Sequence, residues 1–103
     1  MASDMESIVT EYTQNCIICG IATTEEHHLV FGRGNRMKAD TDKIVVPMCR
    51  FCHDELHNKS CVAAELSRIC GQLAWEKHEI ATTGCTEREA REKFRLRYGK
   101  NYC

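Results

Sequence analysis

Eight cysteines and five histidines in a chain of 103 residues constrain this sequence more than any other feature. So small a core gains from a staple, either disulfides or a metal. The pairs Cys16-x-x-Cys19 and Cys49-x-x-Cys52 favour metal. Each pair spaces two thiolates to reach one ion, and four thiolates close the tetrahedral shell of structural zinc. Buried free cysteines or a single redox pair are the alternatives. The start, Met1-Ala2-Ser3-Asp4, carries an acid and no apolar run follows, so no secretory signal is read and a reducing, cytoplasmic setting is expected. Cys61, Cys70, Cys85 and Cys103 fit no ligand pattern and are expected reduced, with Cys70 in the core.

The histidines form a second constellation. His53 and His57 stand four apart on an expected helix, so both imidazoles leave one face. His27 and His28 are adjacent on an expected strand and point to opposite faces. One of that pair can join His53 and His57 around an ion while the other serves a different purpose. Three imidazoles leave a ligand position open, the pattern of a catalytic metal. His78 stands apart and is read as structural or exposed.

The expected fold class is α+β in a single domain over residues 1–103, with a core at about 16–59 and helices at about 60–103. Residues 3–14 read as an amphipathic helix with a Ser3/Glu6 capping box, and Met5, Ile8, Val9 and Tyr12 on one face. Residues 16–20 read as a tight turn ending in Gly20. Residues 27–31 and 44–48 read as strands, and Gly32 to Lys43 as a long loop between them. His53 to about Lys59 reads as a short helix. Residues 62–81 read as a long one, its core face formed by Leu66, Ile69, Cys70, Leu73 and Ile80, with Trp75 in the core and Gly71 a weak point. Thr86 and Glu89 make a capping box for a last helix to about Tyr98, closed by Gly99. No apolar run is long enough to span a membrane, and no membrane association is expected.

The run from Cys16-x-x-Cys19 through Glu26-His27-His28-Leu29 and Ile44-Val45-Val46-Pro47-Met48-Cys49 to Cys52-His53 and His57 resembles the HNH (His-Me finger) endonucleases, in particular their zinc-braced phage-type members. The resemblance covers residues 16–57. It implies a ββα-metal core, a hairpin followed by a helix, with a structural four-cysteine zinc site and flanking helices. It implies His28 as the general base, and His27, His53 and His57 as ligands of one catalytic divalent metal: Mg²⁺, Mn²⁺, Ni²⁺ or Zn²⁺. It implies hydrolysis of DNA phosphodiester bonds, by nicking or cleavage, in a protein of phage or mobile-element origin acting in the bacterial host cytosol. The alternative is a catalytically inactive zinc-binding module that binds DNA or a protein partner.

The family's central Asn, which orients the base, falls here on Ile44 or Lys43, and neither can replace it. A loop carbonyl, Asp40 or Asp42 are the substitutes. The net charge of −1 advertises no nucleic-acid partner, so binding must come from local patches. Arg33, Arg36 and Lys38, in the segment joining the strands, are the expected phosphate contacts. Arg88 and Arg91 are read as a solvated helix face laced with Glu/Arg pairs. Tyr98 and Tyr102 are candidates to stack on bases. No base-reading motif is visible, so specificity is expected to be weak or supplied by a partner. Monomer and homodimer stay open.

Overall fold

The β-branched run at Val45 and Val46 pairs with the histidine-bearing strand. In a computed structural model describing residues 6–32, 34–59 and 61–103, β1 (Glu26–His28) lies antiparallel to β2 (Val45–Pro47). Glu26 faces Pro47, His27 faces Val46 and His28 faces Val45. Both strands are shorter than the sequence suggests, because the chain bends at Leu29 and Val30. That bend sends the two side chains into different clusters. Leu29 joins Cys16, Val46, Met48, Cys52 and Leu56; Val30 joins Ala39, Ile44, Phe94 and Tyr98.

The segment from Gly32 to Lys43 is not a loop throughout. It holds α1 (Asn35–Asp42), entered through Gly34 and left through Lys43, both left-handed (φ 79° and 65°). The sequence hides this helix because only Ala39 in it is buried, so no apolar periodicity develops. Arg33 lies outside the described residues.

The N-terminal helix is not formed over residues 6–14, which run irregularly. Ser3 and Met5 lie outside the described residues. The Ser7 hydroxyl accepts from the N–H of Val9 (2.9 Å) and donates to the Val45 carbonyl (2.5 Å), while Ile8 N–H donates to Lys43. The side chain thus ties the backbone to the β2 edge in place of a helical ladder. Tyr12 is exposed. The tight turn is present: Gly20 sits at φ 82° and its N–H donates to Cys16 at 2.9 Å.

The remaining helices are α2 (Arg50–Lys59), α3 (Cys61–Thr83) and α4 (Glu87–Tyr98). The Thr86/Glu89 capping box and the Gly99 cap both form as read. The face that α3 buries is a correction. Leu66, Cys70 and Leu73 are exposed, whereas Ser67, Gly71, Gln72 and Glu76 are buried. The reason is steric. A Cβ at Gly71 would lie 2.8 Å from Val30 Cγ2 and 2.9 Å from Leu29 Cβ, so the helix can cross the end of β1 only at a glycine. Gly71 is a contact point and not a weak one. The buried polar groups beside it are satisfied: Gln72 donates to Glu76 and Asn101, and Arg91 of α4 closes on Glu76 at 3.0 and 3.2 Å. Arg91 therefore joins two helices and is not part of a solvated ladder.

Trp75 packs edge-on against buried Phe94 and donates to Asp42 at 3.0 Å. Arg97 and Tyr98 also converge on that carboxylate. Tyr98 is buried and stacked on Phe94, so it is unavailable to bases. No described helix is long and apolar enough to cross a membrane.

Candidate functional site

The turn at 16–20 and the start of α2 bring the two Cys-x-x-Cys pairs together. The sulfurs of Cys16, Cys19, Cys49 and Cys52 lie within 4.8 Å of one another, and Cys19 and Cys49 are 3.7 Å apart. Four thiolates about 2.3 Å from a shared ion would stand about 3.8 Å apart, so the group could hold a metal. Cys16 and Cys52 are buried, Cys49 is partly covered and Cys19 is exposed. At Cys16 burial pushes the thiol up, but backbone N–H groups of Cys19, Cys49 and Ile18 outweigh it and bring it to about 6. At Cys52 burial and the neighbouring thiols act in the same sense and push it up to about 12. Without a cation the sulfurs resist carrying charge together; a divalent ion removes that conflict.

Cys52 is followed on α2 by His53, and one turn later by His57. Across from them, β1 presents His27. Their ligating nitrogens also fall within 4.8 Å, with His27 Nδ1 3.2 Å from His53 Nε2. Imidazoles about 2.1 Å from a tetrahedral ion would stand about 3.4 Å apart, so this trio also suits an ion. No local pattern points to the residue that orients His27. The Ser67 hydroxyl donates to the Leu29 carbonyl (2.8 Å), so it accepts from His27 Nε2–H (2.8 Å). This fixes the tautomer with the Nδ1 lone pair toward His53 and His57, the usual arrangement behind a ligating histidine. Burial, followed by the nearby His53 and His57, lowers His27 to about 3, and burial with His57 lowers His53. Both are therefore neutral and free to ligate at neutral pH.

His28 points elsewhere, as alternation along a strand requires. Its side chain is 9% exposed, and Nε2 lies 3.3 Å from Asp40 Oδ1 and 3.7 Å from Glu26 Oε1. Asp40 belongs to α1, the helix that the sequence concealed. Of the substitutes for the orienting Asn, Asp40 is therefore in place, while Asp42 is held by Trp75, Arg97 and Tyr98.

His27, His28, Phe31, Arg36, His53 and His57 line one cleft of about 210 Å³. His28 and Arg36 also border a shallower one of about 490 Å³ with Glu26 and Asp40. A larger concavity, about 840 Å³, separates α3 from α4 but contains neither cluster. The histidine trio, His28 and Arg36 all line the smaller cleft. Of the expected phosphate contacts, Arg36 is on the cleft, whereas Lys38 donates to the Arg97 carbonyl at 2.8 Å. His78 is exposed on α3.

The profile of a family described as "Protein of unknown function (DUF968)" matches residues 9–65, a segment containing every residue of both clusters. The chain belongs to this family. It is also similar to the uncharacterized protein YdfU of Escherichia coli (strain K12), 41% identical over 46 residues. That match takes in 44% of the present DUF968 chain and 13% of YdfU, so the chain spans only a small part of that relative's length. No solved structure matches it.

Proposed function

We propose that this DUF968 chain is an HNH-type endonuclease that hydrolyses DNA phosphodiester bonds with the help of a divalent metal. One observation carries the reading: three imidazole nitrogens converge on one cleft, beside a fourth histidine held by a carboxylate. A cluster of structural histidines would need neither the open cleft nor the Asp40 partner. The antiparallel pair of β1 and β2, followed by α2, supports the reading.

In this reading Cys16, Cys19, Cys49 and Cys52 hold Zn²⁺ and lock the start of α2 against the turn. His27, His53 and His57 hold a catalytic divalent ion, which supplies Lewis-acid stabilisation of the charge developing on the phosphate and the leaving oxygen. The chain does the rest. Asp40 accepts the Nε2–H of His28, leaving the Nδ1 lone pair to take a proton from water as it attacks phosphorus. Ser67 keeps His27 in its ligating tautomer. Arg36 binds a phosphate at the cleft and offsets its charge. Products with a 3′-hydroxyl and a 5′-phosphate follow. The setting proposed is the cytosol of a bacterial host, with a phage or mobile-element origin.

The test is nicking of a supercoiled plasmid after chelation, with Mg²⁺, Mn²⁺, Ni²⁺ or Zn²⁺ restored separately. Metal-dependent nicking that disappears in His28→Ala supports the reading. Folded, zinc-loaded protein that cuts with none of the metals would overturn it in favour of a zinc module that only binds.

A further inference from the structure

Some of the described cations are ion-paired and others are not. On α4, Arg91, Lys93, Arg95 and Arg97 each face a carboxylate, from Glu76, Glu79, Glu92 and Asp42 respectively. Lys43 and Arg50 pair with Glu6 and Glu25, whereas Arg36, Lys38, Arg68, Lys77, Arg88 and Lys100 have no ion-pair partner among the described residues. Of the unpaired cations, Arg68 and Lys100 lie against aromatic rings, and the ring under Arg68 lines the histidine cleft.

Arg68 lies on α3, one residue after Ser67. Its guanidinium carbon stands 4.0 Å from the Phe31 ring centroid and 6.0 Å from that of Tyr102. Phe31 lines the histidine cleft, with its ring 4.7 Å from His57 and 5.5 Å from His27. Only one ring therefore separates the guanidinium from the imidazoles. Tyr102 is fixed on both sides: its N–H donates to Gln72 at 2.7 Å, and its hydroxyl accepts from Asn35 of α1 at 3.3 Å. Lys100 Nζ is 5.2 Å from the same ring.

A guanidinium lying over an aromatic face is held by its flat side, which leaves its in-plane N–H donors free. Those donors suit a phosphate, which accepts two parallel hydrogen bonds. The rings also fix the side chain in advance, reducing the ordering cost on binding.

We infer that Arg68, presented on Phe31 and accompanied by Lys100, is a phosphodiester-binding subsite at the edge of the histidine cleft. A nucleic-acid backbone then spans the cleft with one phosphate at Arg36 and a neighbouring one at Arg68 and Lys100. Tyr102, beside both cations, offers its ring to the adjoining nucleotide. The inference rests on the nuclease reading for its choice of polyanion, but its test does not require cleavage.

The experiment is fluorescence anisotropy of a labelled short DNA duplex with the zinc-loaded His28→Ala chain, titrated over a range of salt. Arg68→Met should weaken binding about tenfold and lower the salt slope by about one. Arg68→Lys should keep the slope and lose part of the affinity. Lys100→Met should lower the slope in the same way, and it decides the matter if Arg68→Met fails to fold. Arg88→Met, at an exposed position on α4, should change little. An unchanged slope in Arg68→Met or Lys100→Met, an equal fall in Arg88→Met, or no binding by the parent chain overturns the inference. Plasmid cleavage alongside a slope independent of Arg68 would sink this subsite and spare the nuclease reading. Arg68-dependent binding without cleavage by the unsubstituted chain would do the reverse.

Discussion

The cysteine cluster and the histidine cluster meet on α2, where Cys52 and His53 are consecutive, yet they differ in ligand type, burial and openness. The cysteine group offers four thiols of one kind, drawn from a tight turn and a helix start, which could hold a metal, and two of them are buried. Such a shell is complete and has no position for a reactant. The histidine group offers three imidazoles whose exposure increases from His27 through His53 to His57, and it opens on a cleft that also receives His28 and Arg36. One site is closed by the protein; the other is left incomplete. A metal held by the cysteines would set where α2 begins, and helical spacing places His53 and His57 on one face beyond it. Rigidity on one side of a single peptide bond supports exposure on the other.

Substituting one residue from each group should separate them most strongly. Structural zinc sites supply about 10 kcal/mol or more, comparable to the whole stability of a small domain. Cys49→Ser should therefore abolish cooperative thermal unfolding followed by circular dichroism, and strong chelation should do the same. His57→Ala, at an exposed position, should shift stability by less than about 1 kcal/mol while removing one bound ion per chain by elemental analysis. If both substitutions unfold the protein, the two sites are not distinct in kind.

Next in size is the base. His28→Ala should reduce cleavage by about 10²- to 10⁴-fold with both metal contents unchanged. Loss of an ion in that variant would place His28 among the ligands and erase the division between it and His27.

Ser67→Ala addresses the support of the open site alone. Metal affinity at the histidines should fall about 10- to 100-fold, as is usual when the group orienting a ligating imidazole is removed. Zinc retention by the cysteines should not change. Competition with a graded chelator would read both, and equal losses would show that the clusters are coupled.

The smallest effect concerns pH. His27 is lowered from 6.5 to about 3 by burial and by its histidine neighbours. Between those values the unfolded chain takes up a proton that the folded chain refuses, so stability falls as pH falls. The contribution is complete above about 6.5 and is lost progressively toward about 3. Melting of the His27→Gln variant should decline less between pH 7 and 5 than that of the parent; identical profiles would remove His27 as the source.

Much of the site was legible because it is written in local spacing. Cys-x-x-Cys is a turn-sized unit, His53 and His57 are one helical turn apart, and adjacent strand residues must diverge. The Thr86/Glu89 box and the Gly99 cap are local for the same reason, and both form as the sequence indicates. What stayed hidden depends on contacts distant in sequence. α1 has one buried residue and so no readable period. The apolar stripe of α3 suggested a core face, but the crossing at Leu29 and Val30 requires Gly71, and that requirement turns Leu66 and Leu73 outward.

Local spacing was enough to single out the cysteine and histidine groups, because the reach of a thiol or an imidazole pair is set by a few bonds of backbone geometry. Tertiary structure alone decided what stands behind and beside them. Ser67 reaches His27 across forty residues, Asp40 reaches His28 from a helix without an apolar signature, and Arg68 meets Phe31 through the packing of α3 on the strand end. Each partnership is fixed by the way whole elements cross, a quantity that no local residue spacing encodes.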